Sequence, residues 1–127
     1  MEVPEDLKYT KEHEWVKIEG DLVRVGITEF AQGELGEIVF VELPEADQQV
    51  EQSQPFCVVE STKAASDVYA PVSGVVVEAN AELSDSPQLI NESPFEKGWL
   101  VTLKDFDEDE VEKLMDAAQY ESYINNS

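Results

Sequence analysis

Lys63 stands between two apolar runs and is surrounded almost entirely by small side chains, with Ser61 and Thr62 before it and Ala64, Ala65 and Ser66 after it. A lysine that another enzyme must modify gains from such a setting, because a primary amine on a rigid, uncrowded turn can enter a second protein's active site. Phe56, Cys57, Val58 and Val59 on one side, and Val68 and Tyr69 on the other, favour β-structure. The pattern predicts a tight antiparallel hairpin with Lys63 at its tip. A solvated turn lysine without a task is the competing reading, since surface lysine is the normal case.

Other chemistry is excluded by inventory. His13 is the sole histidine, which removes sites that need two, and His13-Glu14 does not continue into the second histidine of a zinc-protease helix. There is no glycine-rich phosphate loop. Pro71-Val72-Ser73-Gly74 lacks the glycine pattern of a nucleophile elbow, so Ser73 reads as a turn residue. Carboxylates abound, and the sequence singles out no acid/base pair among them. A non-catalytic protein fits these absences better than a self-sufficient enzyme.

The elements that must position Lys63 are mostly short strands. From Trp15 to Ile27 two alternating segments are joined by Gly20-Asp21, a hairpin signature. Thr28 is placed to cap a short helix whose apolar face is Ile27, Phe30, Ala31 and Leu35, and Gly36 is suited to end it. A strand follows from Ile38 to Leu43 and stops at Pro44. Two stretches then look alike: Gly36 to Glu42 leads through a polar segment to Pro55-Phe56 and a strand, and Gly74 to Glu78 leads through another to Pro94-Phe95 and the strand Trp99 to Leu103. This predicts a degenerate internal duplication, with Lys63 between the copies and two similar sheets packed face to face. After Lys104, Val111, Leu114, Met115 and Ala118 share one helical face, and the acidic cluster at Asp107 suits a helix N-terminus. One helix is expected over about 107–121, docked on the sandwich, with Asn125, Asn126 and Ser127 fraying.

A chain of 127 residues fits a single domain, 1–127. Its 29 acidic and 8 basic residues give a formal charge of −21, spread along the whole chain. Nucleic acid and anionic membrane surfaces would be repelled, and partners should offer basic patches. Cys57 is the only cysteine, so no internal disulfide forms, and its apolar strand makes it a buried hydrophobe in a reducing compartment. The N-terminal residues lack the basic and apolar regions of a secretion signal, and no stretch approaches the roughly 20 apolar residues of a membrane span. The chain reads as cytoplasmic and bacterial, or as a mature form from the mitochondrial matrix. A monomer is the default expectation.

With Lys63 in its setting, the chain resembles the H-protein family of the glycine cleavage system, which carries a lipoyl group among the enzymes that break down glycine. The matching segments are Tyr9 to Val16, Val25 to Gln32, Leu35 to Pro44, Val59 to Gly74, Leu83 to Pro87, and Gly98 to Leu100. They run through nearly the whole chain in order. The resemblance implies a mainly β fold, a lipoyl/biotinyl-type β-sandwich of two antiparallel sheets with a short helix after the first hairpin and a C-terminal helix. It implies (R)-lipoic acid in amide linkage to Lys63, which removes one positive charge and adds an arm reaching on the order of ten ångströms.

The same resemblance implies partners. A pyridoxal-phosphate glycine decarboxylase (P protein) loads an aminomethyl group onto the arm, an aminomethyltransferase (T protein) passes the one-carbon unit to tetrahydrofolate, and dihydrolipoamide dehydrogenase (L protein) restores the disulfide. A lipoyl ligase or transferase attaches the arm, with Glu60, Ser61 and Ala64 as recognition residues. Glu14 and Asp67 are implied to line the cleft where the loaded arm rests, and turn stabilisation is the rival role for Asp67. Thr62 departs from the family's valine, a β-branched exchange that preserves hairpin geometry. Gly74 is read as permitting the turn after Pro71. The alternative is a lipoyl domain or lipoyl-relay protein serving 2-oxoacid dehydrogenases, against which stand Thr62 in place of the aspartate usual there and the lack of a Pro/Ala-rich linker.

Overall fold

The computed structural model describes residues 1–126. A short strand β1 (Lys8–Tyr9) is followed by the hairpin β2 (Glu14–Glu19) and β3 (Leu22–Ile27), in the register Trp15 opposite Gly26 and Glu19 opposite Leu22. Thr28 caps helix α1 (Glu29–Leu35) by accepting the Ala31 N–H, and Gly36, at φ 87°, ends it. Both roles were legible in the sequence. Strands β4 (Ile38–Glu42), β5 (Gln49–Val50), β6 (Pro55–Ser61), β7 (Ala65–Tyr69) and β8 (Gly74–Ala79) follow. Two single-turn helices, α2 (Glu82–Asp85) and α3 (Leu89–Glu92), precede β9 (Val101–Lys104), and α4 (Glu108–Glu112) and α5 (Ala117–Asn125) close the chain.

All strand pairs are antiparallel, in two sheets: β1-β2-β3-β9-β8-β5 and β4-β6-β7. The mainly β, two-sheet expectation is met. The core lies between them, with Val23, Val25, Val76, Val101 and Leu103 of the larger sheet against Val41, Cys57, Val59 and Val68 of the smaller. Cys57 is buried as expected, and burial pushes its thiol well above the ordinary range.

The sheets are not similar, which corrects one consequence of the repeat. Each copy does form an antiparallel pair, β4 with β6 and β8 with β9. The polar connection of the first copy, however, contains β5, which crosses to pair with β8, while that of the second folds into α2 and α3. β5 thus joins the larger sheet, which also holds β1, β2 and β3 beside β9, and the count is six against three.

The single C-terminal helix expected over about 107–121 is also corrected, because the chain breaks between α4 and α5. Met115 leaves helical geometry to exchange backbone hydrogen bonds with Tyr9, its carbonyl accepting at 2.8 Å and its N–H donating at 2.9 Å. Asp116 then starts a new helix in a capping box with Gln119. The break shifts the apolar face by one residue: Ala117 and Tyr120 are buried and Ala118 is exposed. Of the residues expected to fray, Asn125 ends α5, Asn126 caps it, and Ser127 lies outside the described residues.

Gly74 is corrected as well. It sits in β8 without a left-handed φ, and a Cβ there would come within 2.9 Å of the Lys104 carbonyl oxygen, so close approach of β9 is what demands glycine.

Candidate functional site

Lys63 occupies the tip of the β6–β7 hairpin, as its setting predicts. The last strand pair is Glu60 opposite Ala65, and the Ser61 N–H donates to the Ala64 carbonyl at 2.8 Å to close a two-residue loop of Thr62 and Lys63. Neither loop residue has positive φ, so this is not one of the primed turns that hairpins favour. The Ser61 hydroxyl supplies what the backbone lacks: its oxygen accepts the N–H groups of Lys63 (3.2 Å) and Ala64 (3.1 Å) and it donates to the Ala64 carbonyl (3.2 Å). Thr62 N–H donates to the Glu37 carbonyl at 3.2 Å, tying the tip to the start of β4.

Lys63 and its neighbours Thr62, Ala64 and Ala65 are exposed. Ion pairs among the described residues are confined to Glu19 with Lys17 and Arg24, so the Lys63 ammonium is not engaged. Its stem runs across the end of α1, with Cε 3.4 Å and Nζ 3.8 Å from where a Gly36 Cβ would stand. A larger residue at position 36 would meet this stem as well as the left-handed φ.

Asn91 of α3 holds that seat in place. Its amide donates to the Gln32 side chain (2.8 Å) and the Gly36 carbonyl (2.9 Å), and its oxygen accepts the Ile38 N–H (2.9 Å). Nothing local marks Asn91 as a site residue, since its partners are 53 to 59 positions away.

A groove of about 480 Å3 runs between α1 and β7, walled by Phe30, Ala31, Glu34 and Leu35 on one side and by Ser66, Asp67 and Tyr69 on the other, with Glu12 and His13 beyond; Lys63 does not line it, but its stem meets Gly36, next in the chain to Leu35. Its lining sets Phe30, Ala31 and Leu35 beside three carboxylates, with no lysine or arginine. Asp67, on the same hairpin as Lys63, is exposed and borders this groove as well as a second hollow with Glu42 and Val58. Glu60 is half-buried on β6 and pairs across to Phe40 and Ala65.

Glu14 is placed differently. It is buried in β2, outside the groove lining, and borders a separate cavity of about 290 Å3. One carboxylate oxygen accepts the Thr10 hydroxyl at 2.5 Å and the other accepts the Tyr69 N–H at 3.3 Å, so Glu14 ties the larger sheet to the end of β7. Burial raises its carboxyl to about 7, against the opposing pull of those hydrogen bonds. Tyr69 is the single residue common to the two cavities and to the Glu14 bond.

A second network was invisible in the sequence. His13 Nδ1 and Thr28 Oγ1 lie 2.9 Å and 2.7 Å from the Tyr120 hydroxyl, and Tyr120 stacks on Tyr9 with centroids 4.6 Å apart. Burial lowers His13 from its ordinary value, against Glu12 and Glu34. The C-terminal helix α5 thereby braces both the α1 cap and the groove's histidine wall. The Asp116-x-x-Gln119 capping spacing was the available signal for where that helix begins.

A two-sheet antiparallel sandwich with an unengaged lysine on a glycine-free, hydroxyl-braced hairpin places the chain in the class of small β-sandwich carrier domains. Residues 7–127 match the family described as glycine cleavage H-protein. The chain is 60% identical over 124 residues to the glycine cleavage system H protein of Staphylococcus carnosus, covering 98% of each, and 55% identical over 121 residues to that of Bacillus subtilis, covering 95% of each. A crystal structure of a glycine cleavage system H protein from Mycobacterium marinum superposes with a TM-score of 0.88 at 39% identity, over 97% of this chain and 99% of that one. The chain belongs to the glycine cleavage H-protein family, the lipoyl carriers of the glycine cleavage system. The main reading of the sequence is thereby supported over the 2-oxoacid dehydrogenase alternative.

Proposed function

We propose that residues 1–127 form a single non-catalytic carrier domain in which Lys63 bears (R)-lipoic acid in amide linkage. The observation that carries this is the unengaged Lys63 amine at an exposed tip, its stem beside Gly36 at the end of the helix whose Phe30, Ala31 and Leu35 wall a groove. The residues present fit the group. Lys63 offers the amide nitrogen, Phe30, Ala31 and Leu35 offer apolar surface to an alkyl arm, and Glu12, Glu34 and Asp67 offer carboxylates to a cationic amine at its end. When bound, the dithiolane supplies a disulfide that opens to accept a fragment and two electrons and closes again on reoxidation.

The chain's own residues do the rest. Ser61 holds the turn so that Lys63 keeps one orientation, and Glu60, Ser61 and Ala64 are the recognition residues for the lipoyl ligase or transferase. Asp67 borders the groove. Glu14 acts as a positioning residue, holding β7 through the Tyr69 N–H, and its removal shortens the lifetime of the loaded form without preventing attachment. The partners are glycine decarboxylase (P protein), aminomethyltransferase (T protein) and dihydrolipoamide dehydrogenase (L protein), met in turn by a monomer in the bacterial cytoplasm. The bacterial relatives and the lone buried Cys57 support that location.

Expression in a lipoate-replete cell followed by intact mass tests attachment, and a transfer assay with glycine decarboxylase tests the carrier role. A mass increase of one lipoyl group that disappears in Lys63→Arg is the expected result. An unmodified parent protein, or one that accepts acyl groups from a 2-oxoacid dehydrogenase and nothing from glycine decarboxylase, overturns the proposal.

A further inference from the structure

The outer face of the smaller sheet carries a feature that the carrier role does not use. Strand β4 is an edge strand, bonded to β6 alone. Its register with β6 shifts between Ile38, opposite Ser61, and Phe40, opposite Glu60, so Val39 is an extra residue in a β-bulge. A regular strand would alternate, turning one of these two residues into the core. The bulge instead leaves both outside, with Val39 50% and Phe40 51% exposed while Ile38 and Val41 on either side are buried. Phe40 is the one aromatic side chain among the strongly exposed large apolar residues described.

Cross-strand register assigns this aromatic its neighbours. One row across the outer face is Phe40, Glu60 and Ala65, and the next is Glu42, Val58 and Asp67. The three strands hold three carboxylates and no lysine or arginine. The face is continuous with the tip, since Ser61, Lys63 and Ala64 extend β6 and β7 directly and Thr62 is bonded to Glu37 just before β4. An apolar knob flanked by Glu60 across the strand pair and Glu42 along its own strand suits a partner surface with an apolar pocket beside lysine or arginine.

Resting on the attachment of lipoate to Lys63, we propose that the Val39-Phe40 bulge is the docking knob for the enzyme that acylates that lysine. Reach selects this occupant over the others. In acylation the bare Nζ must enter the enzyme's site. The Nζ ammonium first gives up one proton to become the nucleophilic amine, the C–N amide bond then forms at the carbonyl carbon of an activated lipoyl group, the bond from that carbon to its activating group breaks with its electron pair leaving on that group, and Nζ releases a second proton to solvent. An unloaded lysine reaches only about 6 Å from its Cα, so the enzyme must touch the sheet face beside the turn. Enzymes that use the loaded arm have on the order of ten ångströms more and can dock elsewhere.

The test measures loading of the full chain by a purified lipoyl ligase with lipoate and ATP, followed by intact mass. Phe40→Ala and Glu42→Lys are each expected to lower the loading kcat/KM, the first by about tenfold or more through KM, and Phe40→Leu to recover most of that loss. The Glu42→Lys defect should shrink in 0.5 M salt (roughly a threefold shorter screening length than at 0.05 M) because it is a charge effect. Loading of either Phe40→Ala or Glu42→Lys at the parental rate overturns the proposal. So does a Phe40→Ala change confined to the apparent mass in solution, which would make the knob a contact between copies. A parent chain that is never loaded sinks the lipoyl reading itself, a separable result.

Discussion

Among the described residues two hairpins have two-residue loops, and they solve the same geometric problem in different ways. At the end of β2–β3 the reversal is made by Gly20, whose φ of 65° is open to glycine and which has nothing within 4 Å of its Cβ position. At the end of β6–β7 no residue takes positive φ, and the Ser61 hydroxyl satisfies the turn with three hydrogen bonds. The first solution is local and conformational, and it leaves a tip of little chemical use. The second lets a residue with a functional side chain occupy the apex in a relaxed backbone conformation. With Thr62 and Lys63 in the loop and no glycine, the turn draws its hydrogen bonds from the neighbouring Ser61 side chain.

Several substitutions break or sharpen that contrast. The largest expected effect is at the apex: Lys63→Arg keeps the charge and the turn but abolishes attachment, read as a missing lipoyl mass with an unchanged melting curve. Next is Glu14, where the root of the first hairpin meets the end of the second through Tyr69. Its carboxyl titrates near 7 in the folded protein against 4.5 ordinarily. Below pH 4.5 it is protonated folded and unfolded alike. Between 4.5 and 7 the unfolded chain ionises first and stability falls, and above 7 the full cost of about 3 kcal/mol remains. Glu14→Gln should therefore gain stability relative to the parent as pH rises from 5 to 8, measured by urea unfolding at both values. A difference that stays constant with pH would refute the raised carboxyl.

Gly26→Ala comes next. The new Cβ would lie 2.5 Å from Trp15 Cζ2, and Trp15 is pinned by its indole N–H to the carbonyls of Ile27 (3.1 Å) and Pro94 (3.0 Å). A loss of about 1–3 kcal/mol is expected in denaturant titration, with attachment retained under native conditions. Ser61→Ala should cost about 1 kcal/mol and slow attachment several-fold, because the apex loses its brace. Gly20→Ala should cost about 1 kcal/mol through φ alone and leave attachment untouched. Equal effects of the last two on attachment would erase the distinction between the hairpins.

The two strands around Gly20-Asp21, the Thr28 and Gly36 caps, and the Lys63 tip were all readable because each depends on residues within a few positions of one another. Alternation, capping and turn chemistry are short-range physics. The likeness between Gly36 to Phe56 and Gly74 to Phe95 was readable as well, and each copy does make its antiparallel pair. Its consequence for the sheets was not, because β5 pairs with β8 across 24 positions, from Val50 to Gly74. The α4–α5 break depends likewise on Tyr9 bonding Met115 from the other end of the chain. Gly74 was misread for the same reason, its neighbour being Lys104 rather than Pro71.

Within the site, the sequence by itself determined where an amine would be offered and what would surround it, because the small residues and β-formers about Lys63 act on their own turn. Only the tertiary structure decided what lies beneath and beside that amine: Gly36 under its stem, Asn91 holding Gly36, Asp67 in the groove, Glu14 buried behind Tyr69, and Phe40 turned outward by a bulge. These depend on sheet register and on burial. Both are set when distant segments exclude water together, and no local run of residues records them.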